Sequence, residues 1–128
     1  MAGELIIIVE DNQRSRKLVR DVLQFWGYRT LEAERGDDAV ALAAAHNPAL
    51  ILMDIRLPDM DGVTALRQLR ANPTTAAIPV VAVTAFAMRG DEEQFLGAGF
   101  DGYVSKPIDA TELPGVVASY CARGPRGG

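Results

Sequence analysis

The chain has one cysteine, one histidine and one tryptophan in 128 residues, and no apolar run of membrane-spanning length. With Cys121 as the single thiol, an intrachain disulfide is excluded and a reducing compartment is expected. The run from Leu5 to Val9 is too short for the apolar core of a secretory leader and meets charge at once. Nothing approaches the roughly 20 residues that a membrane helix needs, so a cytoplasmic protein without membrane attachment is expected. Excess positive charge is also missing: 13 Lys and Arg stand against 17 Asp and Glu, a net charge of −4, which disfavours a nucleic-acid-binding face. The small basic cluster Arg14, Arg16, Lys17 and Arg20 reads as the solvated side of a helix. A glycine-rich phosphate loop is absent after the first apolar run. Glu10-Asp11-Asn12-Gln13 stands there instead and would repel the phosphates of a nucleotide or flavin.

What the chain does have is a regular alternation. Leu5–Val9 is an apolar, β-branched run, the pattern of a strand buried on both faces. Asn12 caps a predicted helix from Gln13 to about Trp26, whose apolar residues Leu18, Val22, Phe25 and Trp26 recur at helical spacing, and Gly27 stops it. A strand over 28–33 and a helix from Gly36 to His46 follow, the helix ended by Asn47-Pro48. Next come a strand over 49–53, a helix from Gly62 to Ala71, a strand after Pro79, a helix from about Gly90 through Leu96, and a strand over 102–105. The last helix must begin near Thr111, because Pro114 is tolerated only in or near a first turn. Pro114-Gly115 predicts that this helix is short or kinked. Trp26 and Cys121 read as packing residues, and His46 as an exposed helix end. Five alternations predict an α/β fold, a parallel sheet with helices on both faces and right-handed crossovers. Residues 1–123 are expected to form one domain, and 124–128 a flexible tail or linker stub.

Four of the apolar runs end in chemistry. The first meets Glu10-Asp11, the third Asp54, the fourth Thr84, and the fifth Lys106-Pro107. The carboxyl ends of parallel strands are where open α/β sheets bind ligands, so three carboxylates, a hydroxyl and an ammonium are expected around one crevice. Two unit charges 4 Å apart repel by about 4 kcal/mol at an effective dielectric of about 20, so such a cluster calls for protonation or a hard cation. With oxygen donors only and no His or Cys at ligand spacing, Mg²⁺ or Mn²⁺ is favoured over Zn²⁺. A carboxylate beside Mg²⁺ can act as nucleophile in phosphoryl transfer. Lys106 would then offer a cation, Thr84 a hydroxyl, and the small Ala85 would leave the crevice open. Each residue alone is an ordinary loop or strand-end residue; their joint placement carries the reading.

The stretches Ile8-Val9-Glu10-Asp11-Asn12, Leu52-Met53-Asp54-Ile55-Arg56-Leu57-Pro58-Asp59-Met60-Asp61-Gly62, Val83-Thr84-Ala85-Phe86-Ala87-Met88 and Gly102-Tyr103-Val104-Ser105-Lys106-Pro107-Ile108 together resemble the response-regulator receiver domain of two-component signalling. The likeness runs over nearly the whole chain. It extends to single-domain regulators of the DivK type and to the receivers of hybrid histidine kinases. The resemblance implies a flavodoxin-like, CheY-like doubly wound sheet of five strands in the order 2-1-3-4-5. It implies that Asp54 accepts a phosphoryl group from a histidine kinase or a histidine phosphotransfer protein. Glu10, Asp11, Asp54 and the carbonyl of Arg56 would hold Mg²⁺. Thr84, Ala85 and Lys106 would bind the phosphoryl group. Thr84 and Tyr103 would form the switch, and Lys106-Pro107 a cis-proline turn aiming the lysine inward. Arg56 and Phe86, two positions beyond Asp54 and Thr84, fall where the family tunes dephosphorylation. A downstream protein would read the face made by the fourth predicted helix, the fifth strand and the last helix, with the chain a monomer or weak homodimer and no turnover enzyme. Met60, Phe86 and Met88 suit either a partner surface or loop packing.

Two rivals belong to other classes. An Asp-nucleophile phosphatase of the haloacid-dehalogenase sort wants Asp-x-Asp after its first strand and a cap insertion; Glu10-Asp11 and the short loops offer neither. A phosphorylation-independent receiver-like scaffold would have no need of the acidic, hydroxyl and lysine groups that are all present. His46 is not read as a phosphorelay histidine, since nothing around it resembles a four-helix phosphotransfer surface.

Overall fold

Side chains of the central strands divide alternately between two apolar layers, as the pleat of a strand buried on both faces requires. Ile7, Val9, Ile51, Met53, Val80 and Ala82 enter one layer; Ile6, Ile8, Leu50, Leu52, Val81 and Val83 enter the other. The computed structural model describes residues 3–85 and 97–124. Within them run β1 Leu5–Val9, α1 Gln13–Phe25, β2 Arg29–Ala33, α2 Gly36–His46, β3 Leu50–Asp54, α3 Gly62–Ala71, β4 Val80–Thr84, β5 Gly102–Ser105 and α4 Leu113–Arg123. The helix expected from Gly90 to Leu96, with Phe86, Met88 and residues 125–128, lies outside the described residues. All five strands are parallel and ordered β2-β1-β3-β4-β5. α2 and α3 cover the first layer with Ala39, Ala43, Ala65, Leu66 and Leu69. α1 and α4 cover the second with Val19, Leu23, Leu113 and Val117. The sheet is therefore doubly wound, as expected. Among the described residues no helix is long and apolar enough to cross a membrane.

Register sets the site. Val9 lies across from Met53, Asp54 across from Val83, and Thr84 across from Ser105. The strand ends thus stop at one level, and the residue after each run emerges at the same sheet edge.

Two expectations are corrected. Of the expected stripe Leu18, Val22, Phe25 and Trp26, only Val22 packs inward, half-buried against the second layer: Phe25 is 83% and Trp26 57% exposed, their rings edge to face at 5.9 Å, while Val19 and Leu23 are buried. The two candidate stripes are one residue apart, about 100° around the helix. Arg16, on the Val19–Leu23 side and ion-paired to Glu32 of β2, goes with the inward one. Nor is the last helix cut short. Pro114 sits in its first turn, where its missing N–H has no helical partner to lose, and α4 runs 11 residues. Met60 is loop packing, set against the α2–α3 layer, and His46 is exposed at the end of α2.

Candidate functional site

Glu10 extends β1 by one residue, its N–H donating to the Ala33 carbonyl at 2.9 Å. That holds its side chain over the sheet edge, where it is buried. One carboxylate oxygen, Oε2, accepts the Asn12 N–H at 3.2 Å, and the other, Oε1, accepts from Lys106 Nζ at 2.6 Å. Asp54 closes β3. Its Oδ1 accepts the Arg56 N–H at 3.0 Å and its Oδ2 accepts from the same Lys106 Nζ at 3.0 Å. Asp11, the exposed member, completes a trio whose carboxylate oxygens lie within 4.8 Å of one another. Thr84 ends β4, buried, and its carbonyl accepts the Lys106 N–H at 2.8 Å. The Lys106–Pro107 peptide is cis. These groups, with Ala85 and Arg56, line an open cleft of about 680 Å³. Tyr103 is half-buried and packs against the layer under α2 and α3.

The electrostatics follow from crowding. Burial, and then the hydrogen bond shared with Asp54, push Glu10 up to about 7 against the opposing pull of Lys106. Burial acts to lower Lys106, but its bonds to Glu10 and Asp54 outweigh that and hold it above the ordinary lysine value. Three carboxylates thus crowd the cleft around the Lys106 ammonium, with Arg56 also in its lining. The donors are all oxygen, the set suited to a hard divalent cation, so the residues present fit Mg²⁺ or Mn²⁺.

Residue-by-residue reading missed one contributor. The Arg16 guanidinium donates to the Glu10 carbonyl at 3.0 Å through Nη1, to Glu32 at 3.1 Å through Nε, and pairs with Glu34 at 3.1 Å through Nη2. It grips the loop from behind. Its three- and seven-residue spacing from Val19 and Leu23 was the available signal. A second cavity, of about 630 Å³, opens at the opposite ends of the strands, by Leu5, Ala49 and Pro79. It gathers no metal-binding trio among the described residues. Its Cys121 thiol is pushed up to about 11 by burial and by nearby Glu4, which keeps it protonated and unreactive.

The family model for the response regulator receiver domain matches residues 6–118. The chain belongs to that family. Over 115 residues, 90% of this chain and 94% of the relative, it is 44% identical to the polar-differentiation response regulator DivK of Brucella ovis. The receiver domain of the sensor histidine kinase PA1611 from Pseudomonas aeruginosa, solved with a magnesium ion coordinated in its active site cleft, superposes with a TM-score of 0.86 at 36% identity, covering 94% of this chain and 99% of that one. The chemotaxis response regulator CheY4 of Vibrio cholerae, 22% identical, shares the fold with a TM-score of 0.87 over 93% of this chain and 99% of its own. This receiver domain is therefore a two-component signalling module of the DivK-like kind, in a family of signalling regulators.

Proposed function

We propose that Asp54 accepts a phosphoryl group from the phosphohistidine of a histidine kinase or histidine phosphotransfer protein, in a reaction that requires Mg²⁺ or Mn²⁺. The observation that carries this is Lys106 Nζ lying between the Glu10 and Asp54 carboxylates, 2.6 and 3.0 Å away, at the shared end of β1, β3 and β5. Asp11, Asp54 and the Arg56 carbonyl would hold the cation, with Glu10 behind them. When bound, a divalent ion supplies charge neutralisation between acceptor and phosphoryl oxygens.

An Asp54 oxygen attacks phosphorus as the P–N bond breaks and its electron pair leaves with the imidazole. The Arg56 N–H and Lys106 orient that carboxylate beforehand. Lys106 then moves its hydrogen bond to a phosphoryl oxygen, and the Thr84 hydroxyl donates to another. The acyl phosphate is later hydrolysed in the same cleft, so the domain catalyses its own loading and unloading without turning over a free substrate. Phosphorylation adds about −1.5 to −2 charges and biases Thr84 and Tyr103 toward a second arrangement, displayed on the side of β5 and α4. The switching unit spans residues 1–123, with 124–128 as tail. A hollow of about 440 Å³ lined by Leu18, Pro107 and Ile108 shares Ala85 and Lys106 with the cleft. Its place beside the cleft supports reading it as a surface on which the phosphodonor protein would rest.

Intact mass after incubation with acetyl phosphate and Mg²⁺ tests the reading. One phosphoryl group gained by wild type, lost without Mg²⁺ and lost in Asp54→Asn, is expected. No uptake, together with no response to beryllofluoride, would replace it with the scaffold reading.

A further inference from the structure

α2 begins without a cap of its own. Its N-cap position is Arg35, whose side chain bonds none of the helix N–H groups, although the first turn of any helix leaves such donors needing partners. The cap comes from elsewhere in the chain. Asp59, in the loop between β3 and α3, accepts the Gly36 N–H on Oδ1 at 2.8 Å and the Asp37 N–H on Oδ2 at 3.0 Å. The next loop residue, Met60, fills the space where a side chain at position 36 would stand. A Cβ there would lie 2.6 Å from Met60 Cγ and 2.7 Å from its sulfur, so glycine at 36 is what admits the loop.

This loop is the one that leaves Asp54. At its base Arg56 donates to Asp54 Oδ1, Arg56 bridges to Asp61, and the Gly62 N–H closes on the Ile55 carbonyl at 2.7 Å. At its tip Leu57 and Met60 pack against the layer under α2 and α3, and Asp59 adds its two hydrogen bonds to the start of α2. A carbonyl that is to sit on a cation must be held to within about half an ångström; apolar packing is non-directional, so the two directed bonds of Asp59 set how the loop sits on α2.

We propose that Asp59 is a positioning residue for the cation site: by clamping the loop tip to the start of α2, it holds the Arg56 carbonyl where a cation bound by Asp11 and Asp54 needs it. The proposal rests on the reading of Asp54 as a cation-dependent acceptor. It makes Gly36, at the start of α2, part of the same device.

The test is calorimetric titration of the whole chain with MgCl₂. Asp59→Ala should weaken Mg²⁺ binding about tenfold, the lower range for groups that orient metal ligands. Asp59→Asn, whose single carbonyl oxygen can satisfy one of the two N–H groups, should fall between. Gly36→Ala should weaken binding too, by displacing Met60. Ala44→Gly, on the exposed side of α2, should lower the melting temperature through helix propensity and leave Mg²⁺ affinity unchanged. Wild-type affinity in Asp59→Ala would overturn the proposal alone and leave Asp59 a helix cap. An equal loss in Ala44→Gly would also overturn it, since α2 stability would then be the cause. If wild type bound no Mg²⁺, the acceptor reading would fall and this one with it.

Discussion

Lys106 Nζ lies closer to Glu10, at 2.6 Å, than to Asp54, at 3.0 Å. The lysine proposed to meet a phosphoryl group is thus held more closely by the neighbour of the proposed acceptor than by the acceptor itself. Lys106→Ala removes the ammonium that pairs with Glu10 and Asp54 and the proposed donor to the transferred oxygens. Phosphoryl uptake from acetyl phosphate should slow by about 10²–10³, the usual cost of losing one such donor. Mg²⁺ binding should persist or tighten, because a competing cation is gone. Time-resolved intact mass and titration calorimetry separate the two; equal loss of both would show that Lys106 merely keeps the cleft folded.

The burial of Glu10 has a consequence for stability. Its folded value of about 7 lies above its ordinary 4.5, so between these the folded state binds more protons than the unfolded one. Unfolding free energy then falls as pH rises across that window. About 1–2 kcal/mol is expected once solvent screening in the open cleft is discounted. Lys106, held above its usual value, contributes stability that is lost only in alkali. Asp61, held low chiefly by the Thr64 N–H, loses its contribution only as pH falls below the ordinary carboxylate range. Neither offsets the slope. Urea midpoints at pH 5, 6 and 7.5 should decline in wild type, flatten in Glu10→Gln, and recover at pH 7.5 on adding Mg²⁺.

The strands were legible because each central one is buried on both faces and therefore reads as an uninterrupted apolar run. That Glu10, Asp54, Thr84 and Lys106 line one cleft was legible because each breaks such a run at its carboxyl end. What could not be read depends on contacts between distant elements. The Asp59 cap on Gly36 joins residues 23 apart, and nothing local announces it. The inward face of α1 was undecidable by periodicity, since Leu18–Val22–Phe25 and Val19–Leu23 both repeat at helical spacing, and of the first set only Val22 packs inward.

That misreading has a measurable form. Phe25→Ser and Trp26→Ser remove side chains that are largely exposed, so each should change stability by no more than about 0.5 kcal/mol. Leu23→Ala, fully buried in the same cluster as Val117 and Tyr28, should cost about 2–5 kcal/mol. Denaturant melts decide. A large loss in the Trp26 variant would place that ring in a packed environment after all.

Arg16 provides the sharper case, because its neighbours are unequal. Its fork holds the Glu10 carbonyl, Glu32 and the largely exposed Glu34 with three separate nitrogens. A lysine keeps the charge but cannot reach three acceptors in fixed directions. Arg16→Lys should therefore destabilise the domain by about 1–2 kcal/mol, although net charge is unchanged. Glu34→Gln, which breaks only the solvated arm, should fall within about 0.5 kcal/mol of wild type, and Glu32→Gln between the two. If charge alone mattered, the lysine variant would match wild type and both glutamate variants would lose stability. If the grip on the Glu10 carbonyl matters, the order reverses, and the lysine variant should also bind Mg²⁺ more weakly, since Asp11 follows directly on the loosened residue.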